Sequence, residues 1–158
     1  MKIPVVHVDA FTSQVFRGNP AAVCPLESWL DDQTLQSIAT ENNLSETAFL
    51  VGGNGGYEIR WMTPVIEVDL CGHATLASAF VLFGEAEKAR DEIVFTSKSG
   101  ELKVRREGDL LTLDFPSRPP QPMTASEDLL AVLFSGDRPR FDAWSRTLAS
   151  GDAWEPAR

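Results

Sequence analysis

A chain of 158 residues is long enough for one domain with a real core, and a hydrophobic fraction of 43% is ordinary for a globular fold. The net charge of −9 argues against a nucleic-acid surface, because phosphate binding needs clustered Lys and Arg, and the dispersed acidity serves solubility. The opening Met1-Lys-Ile-Pro is too short and polar for a signal peptide, no apolar run approaches the roughly 18 residues of a membrane span, and Cys24 and Cys71 lack CxxC spacing. A cytoplasmic protein with neither a zinc site nor a disulfide framework is expected.

In chain order, Val5 to Phe11 alternates as a first strand, and Arg17-Gly-Asn-Pro20 reads as a turn feeding a second strand to Cys24. Ser28-Trp-Leu-Asp31 has the form of a capping box, with Asp31 or Asp32 as the alternative cap, and Leu35, Ile38, Ala39 and Asn42 then share one helical face. The run Gly52-Gly-Asn-Gly-Gly56 is expected to be a hairpin loop between strands holding Phe49 and Tyr57 to Met62. A phosphate cradle would need a helix after the glycines. His73 to Phe83 is apolar nearly all round, which marks a helix buried inside the fold. Strands follow at Glu92 to Thr96, Glu101 to Arg105 and Leu110 to Phe115, with turns at Ser99-Gly100 and Gly108-Asp109. These elements predict an α+β fold, a curved and mostly antiparallel sheet around a buried central helix. Pro116 to Pro122 holds four prolines and reads as a linker, 126–134 as a short helix, and 135–158, with Trp144 and Trp154, as an irregular tail.

Two side chains stand out chemically. Glu46 follows a helical pattern and opens an apolar strand; His73 follows a strand and opens the small-residue helix. Such boundaries hold side chains firmly while facing them into a cleft, which suits a general acid/base and a substrate-orienting partner. Gly72-His73 begins a buried helix, whose free amides and dipole favour an anion such as a substrate carboxylate. Cys71 stands just ahead of that helix, where a thiolate would gain from the dipole, although packing is the preferred reading for Cys71 and Cys24 alike. Asp69 reads as a strand-to-helix turn residue and His7 as an edge histidine.

His7-Val-Asp-Ala-Phe11, Gly18-Asn-Pro-Ala-Ala-Val23, Asn43-Leu-Ser-Glu-Thr-Ala-Phe49, Arg60-Trp-Met-Thr-Pro64 and Glu67-Val-Asp-Leu-Cys-Gly-His-Ala-Thr75 occur in the order found in the PhzF family of phenazine-biosynthesis-like isomerases, which the chain resembles over about residues 1–120. The resemblance implies a diaminopimelate-epimerase-like fold of two similar lobes with the active site between them, in homodimeric proteins nearly twice this length. It assigns 1–116 to a first lobe, 117–125 to the Pro-rich linker and 126–158 to a tail off the family pattern, with the second lobe absent.

The resemblance also implies that Glu46 shuttles a proton between carbons of a small carboxylated substrate. Gly72, His73, Asn19, Ser45 and Asp69 would bind that substrate, with no metal or organic cofactor. A partner aspartate and a Gly-Ser-like turn belong to the second lobe. The expected function is therefore cofactor-independent proton transfer in a biosynthetic process. Two alternatives stand beside it: a truncated, inactive lobe or interaction domain that self-associates, and a cysteine-based epimerase using Cys71.

Overall fold

Ten elements run through residues 2–117 and 119, the part of the chain described by a computed structural model: β1 Val6–Ala10, β2 Asn19–Leu26, α1 Asp32–Asn42, β3 Glu46–Gly53, β4 Gly56–Met62, β5 Glu67–Val68, α2 Gly72–Gly84, β6 Glu92–Ser97, β7 Gly100–Glu107 and β8 Leu110–Asp114. Met1–Pro116 make one compact unit. The expected helix over 126–134 and the tail to 158 lie outside the described residues, as does most of the expected linker.

Local chemistry sets the boundaries. The first strand stops at Ala10, one residue earlier than its alternation suggests, because Phe11 turns to a φ of 63°. Gly18 is required where the loop returns, since a Cβ there would fall 2.4 Å from the Ala10 carbonyl oxygen. Asp31 is the cap of α1, its carboxylate accepting the Thr34 amide at 2.9 Å. Asn43 then ends the helix in the left-handed region at φ 50°, and its amide donates to the Ala39 carbonyl. That reversal delivers Ser45 and Glu46 directly to the start of β3. The glycine run is a hairpin, with Asn54 and Gly55 at φ 54° and 81° in the two-residue turn between β3 and β4.

The strands form one mixed sheet in the order β1-β2-β3-β4-β6-β7-β8, with β5 also on β4. Five of its seven pairings are antiparallel; β2 with β3 and β4 with β6 are parallel. The parallel pairs are the two places where a helix carries the chain across, α1 between β2 and β3 and α2 between β4 and β6. Sequence reading missed β5, a two-residue strand. Because β3 occupies one edge of β4, β5 and β6 must share the other, β6 along Gly56 to Glu58 and β5 along Trp61 and Met62.

The core divides by sheet face. Ala21, Val23, Ala48, Leu50, Ile59, Trp61, Phe95 and Val104 face α2, while Cys24, Phe49 and Met62 pack on the other face against Leu35 and Ala39 of α1. Each large side chain removed from water contributes about 1.5–3 kcal/mol. Ala74, Ala77, Ser78 and Ala79 of α2 are all buried, and their small size lets the helix lie close on the sheet. One stripe of α2 departs from the expected all-round burial: Leu76 is half-buried, and Phe80 is 61% exposed one turn further on.

Candidate active site

Glu46 opens β3 on the same sheet face as Ala48 and Leu50, the face that α2 covers. His73 sits in the first turn of α2. The two meet, Glu46 Oε2 lying 3.3 Å from His73 Nε2, with side chains 19% and 10% exposed. The approach is too oblique for a hydrogen bond, and Glu46 Oε2 is a buried oxygen that accepts none. An unsatisfied buried acceptor costs about 1–3 kcal/mol, so it is uncommon in a purely structural carboxylate.

Ser45 and Cys71 complete the cluster. Ser45 Oγ lies 3.4 Å from His73 Nε2 and donates a long, 3.5 Å contact to the Pro20 carbonyl. On the far side of the imidazole, Cys71 Sγ lies 3.4 Å from Nδ1. Burial pushes the Cys71 thiol up to about 11, the Ala74 amide opposing the rise and the charge of Glu46 and a hydrogen bond to its carboxylate adding to it. Cys71 is therefore a thiol at neutral pH. Cys24, the second cysteine of the chain, is on the opposite sheet face and pushed up to about 12 by burial. Burial thus holds both residues as thiols in this chain.

The other expected site residues are more loosely placed. Gly72 heads α2, where a Cβ would meet the Phe115 ring at 3.1 Å, so glycine has a packing reason there. Asn19 opens β2 beside Pro20, and Asp69 is exposed, its backbone carbonyl accepting Ser99 Oγ at 2.7 Å. Among the described residues, no hydrogen bond joins either side chain to the Glu46–His73 cluster. His7 is an exposed residue of the edge strand β1.

The donors of Glu46, Cys71 and His73 lie within 4.8 Å of one another. Sγ lies against Nδ1 and Oε2 against Nε2, and the Cys71 thiol is also beside the Glu46 carboxylate. A single ion bonds only one ring nitrogen, and that nitrogen, the Cys71 sulfur and a Glu46 oxygen make a three-atom set of metal-ligating type.

Two features escaped the sequence reading. The first is the thiol–imidazole contact, for which the alternate spacing of Cys71 and His73 across the helix start was the available signal. The second is a clamp just upstream of the helix. Glu67 takes Arg60 Nε and Nη2 at 2.8 Å each and Lys98 Nζ at 2.6 Å. Those cations, Arg60 first, hold its carboxyl down at about 2. Arg60 also reaches Asp32 at 2.9 Å and stacks over Trp29. The clamp pins β5 to β4, which fixes where the chain enters Cys71 and His73. A cavity of about 420 Å³ lined by Trp29, Glu58, Arg60, Thr96 and Lys98 lies beside the clamp, and both of its cations are already paired. No helix among the described residues is long and apolar enough to cross a membrane.

Comparison with known proteins agrees with this architecture. An uncharacterized isomerase of Pseudomonas aeruginosa is 56% identical over 133 residues, covering 84% of this chain and 51% of its own. A mouse phenazine biosynthesis-like domain-containing protein is 49% identical over 140 residues, covering 82% and 49%. The crystal structure of a PhzF-family phenazine biosynthesis protein from Enterococcus faecalis superposes with a TM-score of 0.73 at 50% identity, over 83% of this chain and 50% of the other. The chain thus spans about half the length of the relatives it matches, and its α+β lobe has the fold of this group. The family model for phenazine biosynthesis-like proteins, PhzC-PhzF, matches residues 8–141, further along than the motifs alone reach, and the chain belongs to that family.

Proposed function

We propose that this chain carries the proton-transfer half of an isomerase site, with Glu46 as the general acid/base acting between carbons of a small carboxylated substrate. The unpartnered Glu46 Oε2, 3.3 Å from His73 Nε2, carries this reading. A largely buried carboxylate with a free lone pair can take a proton from carbon, and as the acid it can return the proton to a neighbouring carbon. His73 and the uncapped first-turn amides of α2 supply the positive end of a helix to the substrate carboxylate. The chemistry calls on no metal or organic cofactor, and a cytoplasmic location suits it.

His73 in the first turn of α2 precedes on the same helix half-buried Leu76 and exposed Phe80. Proton transfer between two carbons requires a clamped substrate, so a second surface is needed over that stripe. The half of the longer relatives beyond the match is the natural candidate for that surface. In the isolated chain, self-association through Phe80 is the substitute, and the lobe then acts as an interaction module.

Solvent deuterium incorporation into a dihydro-hydroxyanthranilate probe tests the reading. A chimera carrying this chain in place of the matched half of the Pseudomonas relative should exchange, and Glu46→Gln should slow it by at least about 100-fold. The isolated chain should be slower than the chimera by a similar factor. Unchanged exchange in the Glu46→Gln chimera refutes the assignment; equal exchange by the isolated chain refutes only the need for a second surface.

A further inference from the structure

We infer that Cys71 is a positioning residue: its S–H donates to Nδ1 of His73 and holds the imidazole as the Nε2–H tautomer, so that a proton, not a lone pair, faces Glu46 and the site. The consequence for catalysis rests on the proton-transfer reading above; the tautomer itself does not.

The assignment follows from the partners on the two sides of the ring. A neutral imidazole has one donor and one acceptor nitrogen, and the partner of one fixes the other. At Nε2 lie Glu46 Oε2 at 3.3 Å and Ser45 Oγ at 3.4 Å. A carboxylate only accepts, so a lone pair at Nε2 would face it unfavourably. The Pro20 carbonyl, 3.5 Å away, can take the Ser45 hydroxyl proton, which frees Oγ as an acceptor toward the ring. Both neighbours therefore want the proton on Nε2. Nδ1 is then the acceptor and needs a donor, and the Cys71 thiol, 3.4 Å away, is the group in contact with it; the Glu46 carboxylate, also beside the thiol, is the competing acceptor for that proton.

Burial keeps that thiol protonated, as a donor must be. The result is a chain of donors running one way: Cys71 S–H to Nδ1, Nε2–H to Ser45 Oγ, Ser45 O–H to the Pro20 carbonyl. The opposite tautomer would break this chain at two points, setting a lone pair against the carboxylate and asking the Ser45 proton to serve two acceptors. It would also place an N–H against sulfur, a weak acceptor. In the working site, the Nε2–H is the group that meets an incoming carboxylate or steadies the ionised Glu46.

Nitrogen-15 NMR of the imidazole in the 158-residue chain decides the matter without substrate. The chain has two histidines, and exposed His7 serves as an internal reference. At a pH of about 9, well above the ordinary imidazole range, the neutral ring should show a pyridine-type Nδ1 and a pyrrole-type Nε2 for His73. Cys71→Ala should lower the ratio of Nε2–H to Nδ1–H by about fivefold, the value of one modest hydrogen bond, and Cys71→Ser should restore it. Cys71→Val, which keeps the packing volume without a donor, replaces the alanine variant if that fails to fold. A pyridine-type Nε2 in the parent chain overturns the proposal, as does an unmoved ratio in the donorless variant. If the tautomer behaves as stated while Glu46→Gln leaves exchange intact in the chimera, the proton-transfer reading fails and this one stands.

Discussion

The two ends of α2 each hold a largely buried glutamate, and their surroundings differ. Just beyond the C-terminal end, Glu87 accepts the Gly55 amide at 2.8 Å, the Tyr57 hydroxyl at 2.9 Å and Arg90 Nε at 2.9 Å. The Gly55 amide leads in holding its carboxyl below the usual range, and burial with the Glu87 bond pushes Tyr57 up to about 12. At the N-terminal end, Glu46 Oε2 has no hydrogen bond, His73 Nε2 is 3.3 Å from it, and the Cys71 thiol lies beside the carboxylate. One carboxylate spends its lone pairs on the fold, and the other keeps one in reserve. The contrast is the ground, independent of any relative, on which Glu46 is proposed as the chemical acid and Glu87 as the structural one.

The largest effect should come from Glu46→Gln, which is expected to cut deuterium exchange in the chimera by about 100-fold or more, while Glu87→Gln leaves exchange within about threefold once the protein is folded. Rates that fall equally in both variants would erase the distinction. Stability should show the reverse pattern. Glu87→Gln loses the charge that Arg90 pairs with and disturbs Tyr57 and Gly55, and urea denaturation should register a loss of about 2–3 kcal/mol.

Acid should act next. Glu67 has a folded value near 2, depressed from about 4.5, so its clamp contributes fully above about pH 4.5 and is lost as pH falls toward 2. With solvent screening counted, the loss should be about 1–2 kcal/mol across that window, and Glu67→Gln should flatten this part of the pH–stability curve. The smallest effect is expected at Phe80. Phe80→Ser should move stability by no more than about 0.5 kcal/mol, since the ring is mostly exposed, yet lower any self-association seen by light scattering.

Much of this fold is legible in sequence because local chemistry and tertiary packing agree. The Asn54-Gly55 turn, the Asp31 cap and the apolar run of α2 each state their structure within a few residues. β5 was not legible, because two residues carry no periodicity and its pairing is fixed by Arg60, Lys98 and Glu67, up to 31 positions apart. The parallel pairing of β2 with β3 likewise depends on α1 crossing the sheet, which no strand pattern encodes. At the site, Glu46 and His73 could be singled out by their positions at element ends, but their 3.3 Å approach depends on β3 and α2 packing on one face. The place of Cys71 beside Nδ1 was hidden for the same reason, since a buried cysteine next to a helix start reads first as packing.

The most direct test of the account needs no substrate. If Glu46 is held unsatisfied for chemistry, removing its charge should cost the fold nothing. Urea denaturation of Glu46→Gln should give a stability equal to that of the parent chain or up to about 1 kcal/mol higher. A loss of about 2 kcal/mol or more, comparable with that of Glu87→Gln, would show that Glu46 is a structural partner, and the assignment of the proton-transfer group would fall with it.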